Sequence, residues 1–144
     1  MAITVKKITL WRREAGDRPG LLADTLSPLA GANVSLRILM GYRQPGGSGA
    51  VIELAPVSGR KATTAARSAG LTASSIPTLL VEGEDRPGLG LAFSRAIANA
   101  GINLDFLVAQ VVGRKFSAIF GFASEADAKT AAGLIRKAAR AGKG

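Results

Sequence analysis

The sequence predicts an α+β protein made of two β-α-β-β-α-β units in tandem, each an antiparallel sheet with helices on one face. Three observations predict this fold. The segment Asp-Arg-Pro-Gly-Leu occurs at 17–21 and again at 85–89, a shift of 68 residues (85 − 17). A Gly-x-Asn segment follows each copy. Strand-like and helical runs surround both copies in the same order.

Alternating and apolar runs define the elements of the first copy. Runs rich in Val, Ile, Leu and Thr predict strands where turn residues flank them, and apolar residues at helical spacing predict helices. A Pro-Gly-Gly segment lies in the loop between the two middle strands. The predicted strands cover residues 3–13, 33–42, 50–57 and 71–76, and the predicted helices cover residues 20–30 and 59–69.

The second copy repeats this order up to its last helix. Gly101 predicts the end of the first helix, because glycine commonly follows a helix C-terminus. Ser124 and Asp127 resemble a capping box and predict the start of the second helix. The predicted strands cover 77–83, 103–112 and 115–122, and the predicted helices cover 88–100 and 124–140. Both copies therefore follow the ferredoxin-like order of elements.

The second copy has no closing strand of its own, whereas the segment 71–83 is too long for one strand. At the same shift this segment aligns with 3–15. We therefore expect the two units to share strands. Residues 71–75 would close the first unit and 76–83 open the second, while residues 3–6 close the second unit and 8–13 open the first. The predicted units are residues 1–70 and 71–144, with 3–7 as the candidate closing strand of the second.

The chain of 144 residues contains no His and no Cys. This composition excludes a Ser-His-Asp triad, a thiol nucleophile, a disulfide and the usual zinc sites. The ten carboxylates are scattered along the sequence and suggest no acid–base pair. We therefore predict that the protein is not an enzyme and that it uses no metal and no cofactor.

The net charge of +9 raises the question of an anionic partner. The basic residues are spread over both ends and the middle of the chain, which favours a solvated surface over a nucleic-acid site. No run approaches the roughly 18–20 apolar residues that span a bilayer, and the N-terminal segment lacks the apolar stretch of a signal peptide. We expect a cytoplasmic protein with no membrane partner.

The repeated turn suggests a binding site by its local chemistry. Proline suits the first turn of a helix, and glycine lets another group approach the backbone closely. An aspartate just before them can accept hydrogen bonds from the free N–H groups there. Such a helix N-terminus can take an anion or a carboxylate, although a plain capped turn explains the same residues.

With the repeat and the Gly-x-Asn segments, the sequence resembles the ACT domain family, in tandem. The resemblance covers almost the whole chain, and 102–111 (INLDFLVAQV) is similar to the regulatory ACT repeats of aspartokinases. It implies a ferredoxin-like fold, side-by-side pairing of modules and a homo-oligomer. It also implies an amino acid or similar small effector held at the ACT–ACT interface, and an allosteric, regulatory role.

The resemblance also implies which residues meet the effector. In the family, the effector contacts the Asp-x-x-Gly loop and the start of the strand after Gly-x-Asn. In the second copy the matching residues are Asp85, Arg86, Gly88 and Leu89 on the loop, and Asn103, Leu104 and Gln110 on the facing strand. In the first copy they are Asp17, Arg18, Gly20, Leu21, Asn33 and Val34. The two arginines either attract an anionic ligand or cover the surface.

The two copies match the family pattern unequally. The distance from Asp to Asn is 18 residues in the second copy (103 − 85) and 16 in the first (33 − 17). The first copy also carries Pro28 inside its predicted helix, and an internal proline bends or ends a helix. We therefore expect the second loop to be the better ligand site.

Two other classes of function remain open at this stage. The chain is alternatively an effector-free module that dimerises or docks on a partner enzyme by strand or helix pairing. Less favoured is a nucleic-acid-binding protein, since ferredoxin-like sheets also stack bases on aromatic residues. Phe120 and Phe122 alternate as such a sheet face would, but a packed core explains them better.

Overall fold

The computed structural model describes residues 3–141, which form eight strands and four helices. The chain divides into two compact units. The first-repeat unit is Thr9–Ser75, and the second-repeat unit combines the stretch up to Ile8 with the chain from Ile76 onwards. In chain order the elements are β1 (Thr4–Ile8), β2 (Trp11–Gly16), α1 (Leu21–Gly31), β3 (Ile38–Arg43), β4 (Gly49–Ala55), α2 (Arg60–Ser68), β5 (Thr72–Ala73), β6 (Thr78–Glu84), α3 (Leu89–Asn99), β7 (Leu104–Val112), β8 (Lys115–Phe122) and α4 (Glu125–Ala141).

The first-repeat unit is an antiparallel sheet in the order β3-β4-β2-β5. Trp11 on the central strand β2 stands between Leu54 of β4 and Ala73 of β5. Helices α1 and α2 pack on one face of this sheet, where Leu29 and Ala66 are almost completely buried with Leu54. Small side chains of α2, Ala65 and Ala66, are buried in this core.

The second-repeat unit has the equivalent antiparallel sheet, in the order β1-β6-β8-β7. Strand β1 pairs with β6 from Thr4 opposite Glu82 to Ile8 opposite Thr78. The N-terminal strand therefore takes the closing position in the sheet of the second repeat, as the strand-sharing arrangement requires. Helices α3 and α4 cover one face, and Phe122 lies fully buried beneath them. At the start of α4, Asp127 donates its backbone N–H to Ser124 Oγ at 3.1 Å.

The unit boundaries differ from the division into 1–70 and 71–144. The chain passes from the first-repeat unit to the second-repeat unit after Ser75, because β5 pairs with β2. The segment 3–13 is two strands rather than one, separated at Thr9 and Leu10. This break is where the chain leaves one sheet and enters the other.

The expectation that Pro28 ends its helix is wrong. Helices α1 and α3 have 11 residues each, and α1 continues through Pro28 to Gly31. Proline at this position removes the hydrogen bond to the carbonyl of Asp24. Asp24 is exposed, so water can satisfy that carbonyl, and the helix continues for one further turn.

The structure also corrects the match between Asn33 and Asn103. Asn33 has a left-handed backbone with φ of 59°, as Gly101 does with φ of 74°. The next residue closes the helix end in both copies, since Val34 donates its N–H to Leu29 and Ile102 donates its N–H to Ile97. Asn33 is thus the equivalent of Gly101, because asparagine tolerates the left-handed conformation better than other side chains do.

Candidate functional site

The two Asp-Arg-Pro-Gly-Leu segments form the same tight turn before a helix. Leu21 N–H donates to the carbonyl of Arg18 at 3.3 Å, and Leu89 N–H donates to the carbonyl of Arg86 at 3.4 Å. Gly20 and Gly88 have φ of 89° and 87°. Proline followed by a left-handed glycine is the geometry of a type II β-turn. The repeated sequence therefore fixes how each helix starts.

The aspartate of each turn does not cap its helix. Neither α1 nor α3 has a side-chain hydrogen bond at its N-terminus. Asp85 instead donates its backbone N–H to the carbonyl of Arg114 at 2.7 Å, and Asp17 N–H reaches the carbonyl of Ser48 at 3.4 Å. These bonds tie each loop to the neighbouring hairpin. The first-turn N–H groups of each helix have no partner in their own helix.

A cavity of about 340 Å³ lies beside the second loop, between α3 and the sheet. It brings together three of the residues that the sequence predicts: Asp85, Leu89 and Gln110. Asp85 and Gln110 form no side-chain hydrogen bond or ion pair with any other residue between 3 and 141. Gly88 sets the turn at the rim, and its missing side chain leaves open space there. The remaining lining residues are Gly90, Phe93, Ser94, Leu107, Ala109, Val111, Phe116, Ala118 and Phe120.

Three phenylalanines that sequence reasoning did not assign to the site form the wall of this cavity. The ring centroid of Phe93 lies 6.0 Å from that of Phe116 and 6.5 Å from that of Phe120. All three side chains are buried. One signal was present in the sequence, because Phe93 follows Leu89 by one helical turn and so shares its face of α3.

Asn103 and Leu104 lie at the other end of the same unit from the second loop. Leu104 is opposite Phe122, whereas Val112, at the far end of β7, is opposite Lys115, which also pairs with Glu84 next to the loop. The nine residues of β7 separate these two ends, about 30 Å in an extended strand. Within the second-repeat unit the strand therefore contributes Gln110, and not Asn103 or Leu104, to the cavity.

Arg86 points away from the cavity towards the end of α4. Its Nη2 donates to the carbonyl of Ala139 at 3.0 Å. A guanidinium at this position satisfies a helix C-terminal carbonyl and interacts favourably with the helix dipole. Its Nη1 is buried without a partner among residues 3–141.

The first loop borders a groove of about 350 Å³ with a different character. Asp17, Arg18, Gly20 and Leu21 line it together with Tyr42 and Arg43, at the positions that correspond to Gln110 and Val111. Charged side chains form ion pairs with each other here. Arg43 Nε lies 3.1 Å from Asp17 Oδ2, and Arg18 Nη2 lies 2.6 Å from Asp24 Oδ2.

Asn33 and Val34 do not reach this groove. They border a separate cavity of about 270 Å³ near Pro56 and Lys61. The two cavities lie at opposite ends of α1, since Gly20 precedes the helix and Asn33 follows it. In the first copy the four predicted loop residues therefore lie together, and the two predicted strand residues lie at a different cavity.

Next to the first groove is a hydrogen-bonded network that the sequence did not indicate. Glu53 is only 3% exposed, and it accepts hydrogen bonds from Arg12 Nη1 at 3.1 Å and from the hydroxyl of Tyr42. Burial and the hydrogen bond to Glu53 raise the pKa of Tyr42 to about 12. The buried carboxylate is thus satisfied within its own sheet, as buried charges generally are.

Residues 3–141 contain no group of three or more His, Cys, Asp or Glu side chains arranged to hold a metal ion. Over the same residues, no helix is long and apolar enough to cross a membrane.

Comparison with known proteins gives a match at the level of structure. No family model and no curated protein sequence matches the chain. The fold is similar to that of the regulatory subunit of aspartate kinase from Thermus thermophilus, with a TM-score of 0.62 and 17% identity over 94% of this chain and 95% of that one. A structure of aspartokinase alpha and beta subunits gives a TM-score of 0.64 at 16% identity, over 97% and 98% of the two chains.

A third similar structure is that of a bacterial protein whose name states no activity. The protein BT0572 from Bacteroides thetaiotaomicron aligns with a TM-score of 0.72 and 11% identity, over 88% of this chain and 87% of that one. At these identities the likeness concerns the fold. The chain therefore has the tandem ferredoxin-like fold that the ACT resemblance predicted, and shares it with regulatory subunits of aspartate kinase.

Proposed function

We propose that this protein is a non-catalytic regulatory module that binds one small effector, an amino acid or a similar zwitterion, in the cavity beside the second loop. One observation carries the proposal: an uncapped helix N-terminus borders the same cavity as Asp85, an exposed carboxylate without a side-chain partner among residues 3–141. The fold shared with aspartate kinase regulatory subunits supports it.

The chemistry of the cavity suits both charged ends of such a ligand. Leu89 N–H already donates to the carbonyl of Arg86. The N–H groups of Gly90 and Leu91 in the first turn of α3 can donate to a carboxylate, which the helix dipole also favours. The carboxylate of Asp85 can accept from an ammonium group, in a charge-assisted hydrogen bond. Gln110 borders the cavity, but because strand side chains alternate, its side chain points to the sheet face opposite Ala109 and Val111. A volume of about 340 Å³ is at the lower end of the range for small-ligand sites.

The residues that line this cavity include no set of groups typical of an active site. The sequence lacks His and Cys, and no other residue that lines the cavity can act as an acid–base partner of Asp85. The activity that this module regulates would lie outside these 144 residues, for example in a partner enzyme. Binding of the effector would change how the module contacts that partner.

Thermal shift with each of the common amino acids tests the proposal. A ligand present at about 100 times its Kd stabilises the folded protein by about 2.7 kcal/mol, which raises the melting temperature measurably. We expect Asp85→Asn to abolish the shift and the matched variant Asp17→Asn to retain it. If no amino acid changes the melting temperature, or if Asp17→Asn alone removes the effect, the proposed site is wrong.

A second candidate function is assembly, and strand β7 favours it. This strand is at the edge of its sheet and exposes Leu107, Val108, Val111 and Val112, the last with 70% of its surface accessible. From Phe106 to Val112 the strand has no charged residue, and a long apolar edge of this kind is a site for pairing with another strand. We propose that a second copy of the chain covers β7, so that the protein forms a homo-oligomer. Light scattering of the wild type and of Val108→Lys tests this, since the charge should yield a smaller particle.

A further inference from the structure

We infer that the cavity beside the second loop selects an amino acid with a hydrocarbon side chain, such as leucine, isoleucine or phenylalanine. This inference rests on the proposed function and specifies its ligand. The cavity has no basic side chain among its lining residues, and its only charged one is Asp85. A ligand with an acidic side chain would therefore find no cation, and its extra carboxylate would lie near another carboxylate.

The wall against which the ligand side chain would lie is apolar on both sides. Leu89 and Phe93 face it from α3, and Leu107 and Val111 face it from β7, with Phe116 between them. The one hydroxyl on the helix side is already used, because Ser94 donates to the carbonyl of Gly90 at 2.7 Å. A polar side chain placed here would lose water and would find at most one acceptor, the oxygen of Ser94, which costs free energy.

The polar groups are grouped at one end of the cavity. Asp85 is on the loop, and the first turn of α3 begins at Leu89. The ammonium and carboxylate groups of an amino acid can occupy this end together. Its side chain then extends towards Phe93 and Phe120, one to two helical turns further along.

The first groove provides an internal contrast. Its equivalent of Phe93 is Thr25, a buried residue whose hydroxyl donates to Leu21 and accepts from Arg13 Nη1 at 2.8 Å. Its equivalent of Phe116 is Ala50, and Arg43 replaces Val111 and pairs with Asp17. The groove thus lacks the aromatic wall and brings a cation to its aspartate. We expect the chain to bind one hydrocarbon amino acid, in the second-repeat unit only.

Calorimetry with leucine, phenylalanine, lysine, aspartate and glycine tests the selectivity. Burial of a side chain of this size favours leucine over glycine by on the order of 10- to 100-fold in Kd. Removing the amino group, as in 4-methylpentanoate, should also weaken binding on the order of tenfold or more, because Asp85 loses its partner.

Two variants on strand β7 distinguish an effect on ligand binding in the cavity from an effect on strand pairing at the sheet edge. Val111→Arg places a guanidinium beside Asp85, as Arg43 stands beside Asp17, and should weaken leucine binding on the order of tenfold or more. Val112→Arg is the matched control, because Val112 is exposed but does not line the cavity. Any effect of a new charge on strand pairing would appear in both variants. The weaker binding of leucine should appear in Val111→Arg alone.

The outcomes distinguish this inference from the proposed function. If lysine, aspartate or glycine binds as tightly as leucine and Asp85→Asn removes that binding, the site stands and the hydrocarbon selectivity is overturned. If Val111→Arg and Val112→Arg bind leucine equally well, the cavity wall is not where the side chain lies. If no amino acid binds the wild-type chain, both the proposed function and this inference fail.

Discussion

Replacing glycine by alanine at Gly88 of the second loop and at Gly90 in the first turn of α3 should change the stability in opposite directions. Gly88 has a left-handed backbone with φ of 87°, and a methyl group built on it would meet no atom within 4 Å. The cost of Gly88→Ala is therefore conformational and amounts to about 1–2 kcal/mol. Gly90 lies in α3, where a methyl group also meets no atom within 4 Å. Gly90→Ala should stabilise the protein by about 0.5 kcal/mol, because alanine is the better helix residue.

Urea denaturation followed by circular dichroism measures both changes. At an m value of about 2 kcal/mol/M, Gly88→Ala should lower the midpoint by about 0.5–1 M, and Gly90→Ala should raise it by about 0.25 M with m unchanged. Gly20→Ala repeats the first change in the other unit, at φ of 89°. If Gly88→Ala is neutral or stabilising while the fold is retained, the left-handed turn is not present and the explanation of the repeated motif is wrong.

Two further predictions concern side chains that differ between the repeats. Arg86→Met should lower the free energy of unfolding by about 1.5 kcal/mol, because the carbonyl of Ala139 loses a charged donor. Arg18→Met breaks an exposed ion pair with Asp24 and an exposed hydrogen bond to the carbonyl of Pro19, and should cost less than about 1 kcal/mol in the same urea titration; equal costs would contradict the assignment. Tyr42, the one tyrosine in the chain, should ionise near pH 12 in an absorbance titration of the folded protein and near pH 10 in urea. The folded state holds this proton more tightly, so its contribution to stability is complete below pH 10 and is lost as the pH rises to 12. If Tyr42 ionises near pH 10 in the folded protein, Glu53 does not accept a hydrogen bond from its hydroxyl.

The order of the elements could be predicted from the sequence because the turn chemistry is local. Proline and a left-handed glycine determine the same turn wherever they occur, and both copies begin their helix with it. The spacing after the helix was harder to interpret. Gly31-Ala32-Asn33 resembles Gly101-Ile102-Asn103 in sequence, but Asn33 ends its helix in the backbone conformation of Gly101. Two residue types can occupy that conformation, so the letters alone did not show which residues are equivalent.

The candidate site was only partly predictable for a different reason. Asp85 and Leu89 belong to the motif itself, so their positions near one helix end follow from local sequence. Phe116 and Phe120 reach the cavity from β8, more than twenty residues later, through strand pairing that a motif does not encode. Pairs such as Arg43 with Asp17 likewise depend on the register of β3 against β4. These contacts are what distinguish the two loops from each other.

The closing strand β1 links the order of synthesis to the order of folding. Thr4 and Glu82 are partners 78 residues apart (82 − 4), and closing so long a loop of unfolded chain is entropically costly. The intervening first-repeat unit has consecutive sequence and can fold once Ser75 has left the ribosome. Within it Trp11 pairs with Ala73, and Ser74 N–H donates to Leu10 at 2.8 Å, so its two ends emerge side by side. A nascent chain whose first repeat has folded therefore presents β1 and β6 to each other almost as a hairpin does. A mutation that unfolds the first repeat would delay the second, even where it touches none of the second repeat's residues.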